Sequence, residues 1–222
     1  SVAFTEPYFL GRRISAGFDI YRQTRGYDNY ESELTGGTVR FGLPITDSIT
    51  TTLAYNYTEE RYNFSKRCDE DEDGLPDADC NVSQAIIDAV DNSPWTKSSV
   101  SATLLYNTID DMKNPHSGIY ASFTTEYAGV GGDASFLKVS GRTTAYYTLM
   151  DEADIVGLVT VGGGHVSELD DGGLRTFDLF KNNERIIRGF EYNGIGPADR
   201  LANGDYDHLG GTTYFHGTVE AQ

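Results

Sequence analysis

Along most of this chain, apolar and polar residues alternate at every second position. Residues 14–20 place Ile14, Ala16, Phe18 and Ile20 on one face, and Arg13, Ser15, Gly17 and Asp19 on the other. The same period returns at 39–43 (Val39, Phe41, Leu43), 49–57 (Ile49, Leu53, Tyr55, Tyr57) and 99–107 (Val100, Ala102, Leu104, Tyr106). It continues at 119–127 (Ile119, Ala121, Phe123, Tyr127), 136–149 (Leu137, Val139, Ala145, Tyr147, Leu149) and 212–221 (Phe215, Val219, Ala221). A period of two is the signature of a strand whose side chains stand on opposite faces, and no helical period competes with it. A Gly-rich apolar segment at 155–166 reads as a further strand without an assignable facing, and a short strand near 2–9 brings the expected number to nine.

The connections carry as much information as the strands. Short linkers, "FLG", "PITDS", "DDMKNPHSG" and "MDEAD", interleave with "QTRGYDNYES", the segment 60–96, "GVGGDA" and the segment 169–211. Tight turns at one end, and long loops for three of the four connections at the other, are the asymmetry of an outer-membrane β-barrel. Tyr8, Tyr27, Tyr55, Tyr57, Tyr106, Tyr127 and Tyr147 lie near strand ends, where an interfacial aromatic girdle belongs. The face opposite the apolar set is Ser, Thr, Asn, Gly, Arg, Lys and Glu along whole strands. That suits a wet lumen better than the outer face of a soluble β-sandwich, the competing all-β reading. An open sheet in lipid would leave edge groups unpaired at a cost of several kcal/mol each, so nine strands are expected to be part of a larger closed barrel.

Composition narrows the partners. With 34 acidic against 17 basic residues and a formal charge of -17, the chain lacks the clustered cations that nucleic-acid phosphates require. The 38% hydrophobic and 12% aromatic content suffices for an ordered structure. No apolar run is long enough for a transmembrane helix, and the first residues, "SVAFTEPYFLGRR", have no signal-peptide character. Cys68 and Cys80 bracket a polar segment and are expected to form a disulfide, which implies an oxidising compartment such as the periplasm or cell surface. Enzyme readings find little support. His116, His165, His208 and His216 lack metal-ligand spacing, no nucleophile elbow occurs, and Gly162-Gly163-Gly164 lies in a strand rather than before a helix.

One stretch does not fit a solvated loop. "RIIRGFEYNGIGP", residues 185–197, gathers Ile186, Ile187, Phe190 and Ile195 around Arg188 within a long loop. Ile187-Arg188-Gly189-Phe190, followed by Gly194-Ile195-Gly196-Pro197, resembles the loop-six motif of the family of outer-membrane barrel assembly factors and two-partner-secretion translocators. Three further stretches resemble that family in the right order: "SVAFTEPYFLGRRISAGFDIYR", "NTIDDMKNPHSGIYASF" and "GGTTYFHGTVEAQ". Where the family often has a Gly-Gly pair before the arginine, this chain has Asn182 and Asn183, residues that also tolerate positive φ.

The resemblance implies an all-β, transmembrane antiparallel barrel of sixteen strands when complete, of which residues 1–222 would be a central to C-terminal-side part. The POTRA repeats and the first and last barrel strands, which form the family's seam, would lie outside it. It implies that the loop tip folds back into the lumen, where Glu220 would face Arg188. A guanidinium in a partly dehydrated lumen is costly unless a carboxylate meets it in a fork-like pair, and Gly189 would permit the sharp turn beside it. The implied function is non-enzymatic: folding and inserting nascent outer-membrane barrel proteins in a Gram-negative outer membrane, with membrane lipid and, through POTRA domains, assembly-machine lipoproteins as partners. A secretion translocator of the same family and a passive porin or surface barrel are the alternatives.

Between the cysteines, Asp69, Asp71, Asp73, Gly74 and Asp77 follow a D-x-D-x-D-G-x-x-D pattern that resembles calcium loops. Cys80 stands where an EF-hand would need glutamate, so the segment reads equally as a calcium site or as an acidic, solvated loop tied by a disulfide.

Overall fold

A computed structural model describes residues 1–26, 29–66, 68–69, 75–76, 80, 82–181, 189, 194–201 and 206–222, except the side chains of residues 176 and 207. Nine strands form one antiparallel sheet: β1 (Val2–Glu6), β2 (Ser15–Gly26), β3 (Tyr30–Pro44), β4 (Ile49–Phe64), β5 (Trp95–Asn107), β6 (Gly118–Gly132), β7 (Phe136–Met150), β8 (Ile155–Glu168) and β11 (Thr213–Ala221). Each strand from β1 to β8 pairs with the next in the chain, and β8 pairs with β11 across residues 169–212, the loop six expected at about 169–211, which carries a small hairpin of β9 (Ala198–Arg200) and β10 (Tyr206–His208). The sheet is open, as a portion of a barrel is. Among the described residues no helix is long and apolar enough to cross a membrane.

The alternation read from the sequence sets the two faces. Phe123, Val159 and Phe215 stand exposed on the outer face, while Thr103 and Thr124, and likewise Thr144 and Thr160, join by hydroxyl hydrogen bonds of 3.0 Å on the inner one. The facing of β8 becomes clear in the same way: Val159 and Val161 face lipid, and Thr160, Gly162, Gly164 and Val166 face the lumen. The outer tyrosines fall in two sets, with Tyr55, Tyr57 and Tyr127 toward the long loops and Tyr8, Tyr106 and Tyr147 toward the short turns.

Four expectations are corrected. The strands outrun the apolar alternation at the loop end: β3 begins at Tyr30 and β4 runs to Phe64, with Glu31 opposite Asn63 and Glu33 opposite Arg61. Above the lipid band the outer positions turn polar while the backbone ladder continues, so the hydrophobic signal stops before the strand does. Consequently only two of the four loop-end connections are long, 65–94 and 169–212; the others shrink to 27–29 and 133–135. The third correction is a helix, α1 (Gln84–Asp91), inside the segment read as a long loop. It buries Ile86 and Ala89, and its eight residues are too short for a helical period to stand out. The first strand also ends at Glu6, ahead of a turn in which Leu10 adopts φ 54° and Gly11 φ 69°.

Candidate functional site: loop six on the luminal wall

The site is assembled by the inner faces of β4 to β8 and β11 together with the first limb of loop six. Their inner positions at the loop end are charged or aromatic: Glu60 and Tyr62 on β4, Lys97 on β5, Glu126 on β6, Lys138 on β7, and Tyr214 and His216 on β11. Loop six meets this wall at residues 174–181. The Arg175 guanidinium lies 4.0 Å over the Trp95 ring and donates to the Asn92 carbonyl oxygen at 2.8 Å. Phe177 stacks on Tyr62 with ring centroids 4.3 Å apart and 17° between planes. The Asp178 carboxylate, 8% exposed, meets the Lys97 ammonium at 3.3 Å, and Lys138 Nζ donates to the Asp178 carbonyl oxygen at 2.7 Å. Phe180 packs against Tyr214 at 4.7 Å, with Lys138 Nζ 4.5 Å above its ring.

Beneath these contacts lies a small apolar core. Ala128, Ala134, Phe136 and Val166 are buried, and Trp95, Leu174, Leu179 and Phe180 pack on them, so loop-six side chains complete a cluster that the strands begin. Full burial of a side chain such as Phe136 contributes about 1.5–3 kcal/mol. Backbone bonds close the base of the loop: Phe180 and Gly211 exchange N–H to carbonyl bonds at 3.0 and 2.9 Å, and Leu209 N–H donates to the Pro197 carbonyl at 3.0 Å. At the β6–β7 connection, Ser135 N–H donates to the Gly173 carbonyl at 2.8 Å. Next to it the Asp133 carboxylate accepts from the hydroxyl and the backbone N–H of Thr96 at 2.6 and 2.8 Å, and these bonds hold its pKa below the ordinary carboxylate value.

The glycine run of β8 explains how an aromatic layer fits here. A Cβ at residue 164 would come within 2.6 Å of the Tyr214 ring and 2.7 Å of Phe180, and one at residue 162 would collide with His216. Gly162 and Gly164 are the places where the wall gives up side chains so that Phe180, Tyr214 and His216 can approach its backbone. The sequence reading missed this layer and the cations Lys97, Lys138 and Arg175. The signals were present as charged residues in the inward phase of strands and as a lone tryptophan at a strand start.

Of the residues expected in the site, Glu220 lies on β11 in the luminal phase, four residues beyond His216 and in register with Leu158. Gly189 and Gly196 adopt φ +91° and +131°, conformations that favour glycine, and Gly194 and Pro197 lie in the same loop leading to β9. Ile187, Arg188 and Phe190 lie outside the described residues. Cys68 and Cys80 form the expected disulfide, Cα atoms 5.2 Å apart. Asp71, Asp73 and Asp77 lie outside the described residues; Asp69 is described, and among the described residues no cluster of His, Cys, Asp and Glu could hold a metal ion.

An apolar outer wall, a polar inner one and the first limb of a long loop seated on that inner wall define a part of an outer-membrane β-barrel. The Omp85 superfamily domain matches residues 1–222, and the chain belongs to that family. It is 26% identical over 227 residues to the outer membrane protein assembly factor BamA of Neorickettsia risticii, covering 100% of this chain and 28% of that protein. It is 26% identical over 212 residues to BamA of Nitratidesulfovibrio vulgaris, covering 94% of this chain and 24% of that one. The chain thus spans about a quarter of the length of these curated relatives. The crystal structure of BamA from Haemophilus ducreyi lacking POTRA domains 1–3 has the same fold, with a TM-score of 0.74 at 20% identity over 99% of this chain and 43% of that one.

Proposed function

We propose that this chain is the barrel portion of an outer-membrane protein assembly factor, which folds nascent β-barrel proteins and inserts them into the membrane. The observation that carries the reading is the position of loop six. Its first limb is seated on the luminal wall, its base is closed at Phe180 and Gly211, and Glu220 stands in the luminal phase of the strand that follows. This is the setting in which an Arg188 tip would find a carboxylate. The names of the two relatives favour assembly over secretion within the family.

The role is non-enzymatic. A nascent strand in lipid has unpaired N–H and C=O groups that water cannot satisfy there, so an offered strand edge is a strong template for backbone pairing. The part of this chain would be to keep the barrel wall and its internal loop in shape while an edge elsewhere in the barrel opens. The partners would be nascent barrel proteins, membrane lipid and, through soluble domains of the whole protein, the rest of an assembly machine. The experiment is complementation in cells depleted of the protein: Arg188→Ala, expressed at the wild-type level, is expected to lower the amount of folded outer-membrane barrels. Full assembly by this variant would overturn the proposed role of the motif.

A further inference from the structure

The connection between β4 and β5, residues 65–94, carries the disulfide and α1, and it reaches loop six. Phe64, Cys68 and Ile86 form a buried cluster, with Cys68 2% exposed, and Cys80, Val82, Ile87, Val90 and Phe177 pack against it. Phe177 belongs to loop six, more than ninety residues further along the chain, and its ring also stacks on Tyr62, with Lys181 Nζ 5.0 Å from the ring centroid. The same connection supplies the Asn92 carbonyl that accepts from Arg175 and leads into Trp95, under the Arg175 guanidinium. It is itself fastened to the wall, because Tyr62 N–H donates to Ser93 Oγ at 2.8 Å and Ser93 Oγ–H donates to the Ala89 carbonyl at 2.8 Å.

We propose that the disulfide-closed 65–94 connection is a clasp that seats the 174–181 limb of loop six on the luminal wall, with Phe177, Lys97 and Asp178 as its positioning residues. The Phe177 ring touches both the disulfide-bearing cluster and Tyr62, so loosening that cluster removes part of what holds the ring. The cross-link between Cys68 and Cys80 limits how far the cluster can open. Lys97 acts at the next residue of the limb: the Asp178 carboxylate is almost fully buried, and without the ammonium that meets it directly it would keep only the less direct attraction of Lys138 and Arg175, which favours undocking. The clasp is distinct from the Arg188 motif, which sits further along the loop. Its bearing on assembly rests on the function proposed above, whereas the seating of the limb does not.

Hydrogen exchange on the full-length protein in lipid nanodiscs reads the seating directly, at the Asp178, Phe180 and Gly211 amides. These donate to the Arg175, Gly211 and Phe180 carbonyls. Reduction of the wild-type protein with dithiothreitol and, separately, Lys97→Met are each expected to speed exchange at these amides by about tenfold or more, while the β7–β8 ladder stays protected. Lys97→Arg is expected to keep protection, which a merely space-filling lysine would not predict. Reduction that speeds exchange only within 65–94 would overturn the clasp, and the wild-type arm decides this even if a variant misfolds. A protein that shows these changes but assembles no barrels would refute the proposed function and leave the clasp standing.

Discussion

Phe180 of loop six rests on the bare backbone of Gly164, at a point of β8 where a Cβ would come within 2.7 Å of its ring. Gly163, the neighbouring glycine, points to the opposite face, where a Cβ would stand 3.2 Å from the Tyr214 carbonyl oxygen and 3.6 Å from Phe215, a tight fit but not a collision. The two positions therefore separate a strand's tolerance of side chains from a luminal requirement for none. Gly164→Val is expected to displace Phe180 and Tyr214 and to destabilise the barrel by about 1–3 kcal/mol, the usual cost of overpacking. Gly163→Val is expected to cost less. The temperature at which the folded form loses its compact electrophoretic mobility compares them, and equal midpoints for both variants would show that the aromatic layer needs no glycine.

Phe123 and Ser122 are neighbours on β6 with opposite facings, one 52% exposed on the outer wall and the other toward the lumen. A lysine facing lipid near the middle of the membrane costs about 2–4 kcal/mol, while lumen positions accept charge. Phe123→Lys is expected to carry that cost, and Ser122→Lys less than half of it, in reversible unfolding from lipid vesicles. The opposite order would mean that the two faces have been assigned the wrong way round.

His116 and Asp154 join two periplasmic turns, 108–117 and 151–154, through a contact of 2.8 Å between Nε2 and Oδ1. The hydrogen bond from Asp154, helped by the Asn114 carbonyl, raises the His116 pKa above its ordinary 6.5. A raised value in the folded state means that this contact stabilises the turns fully below about pH 6.5 and that the contribution is lost as pH rises through the folded value. Titration followed by NMR is expected to place the His116 midpoint above 6.5, and Asp154→Asn to bring it down. An unchanged midpoint in that variant would remove Asp154 as the cause. Asp110 works in the opposite sense. Backbone N–H groups of Ser117, Asp111 and His116 hold its pKa below the ordinary value, so what it contributes is present above about pH 3.9 and is lost as pH falls through its folded value.

Much of the wall was legible in the sequence because a strand that separates lipid from water must alternate. Phe123 and Thr124, or Val219 and Glu220, declare their faces without any structure. The facing of β8 was not legible, because Val156 and Val166 point inward while Val159 and Val161 point outward, and the glycines between them carry no hydrophobic signal. The lumen contacts were hidden for a different reason. Lys97 and Asp178 lie 81 positions apart, and the pairing of Phe177 with Tyr62 spans a still longer stretch of chain. Alternation states that a lysine faces inward but not which loop will meet it. The helix in 65–94 went unread because its stability comes from Phe64 and Cys68 beneath it rather than from its own eight residues.

The proposed function is tested most directly by reconstitution. The full-length protein in liposomes, presented with an unfolded outer-membrane barrel protein, is expected to speed the appearance of protease-resistant, heat-modifiable substrate relative to empty liposomes, and Arg188→Ala is expected to lose most of that acceleration. Folding no faster than in empty liposomes, from a protein that is itself folded in the membrane, would contradict the account.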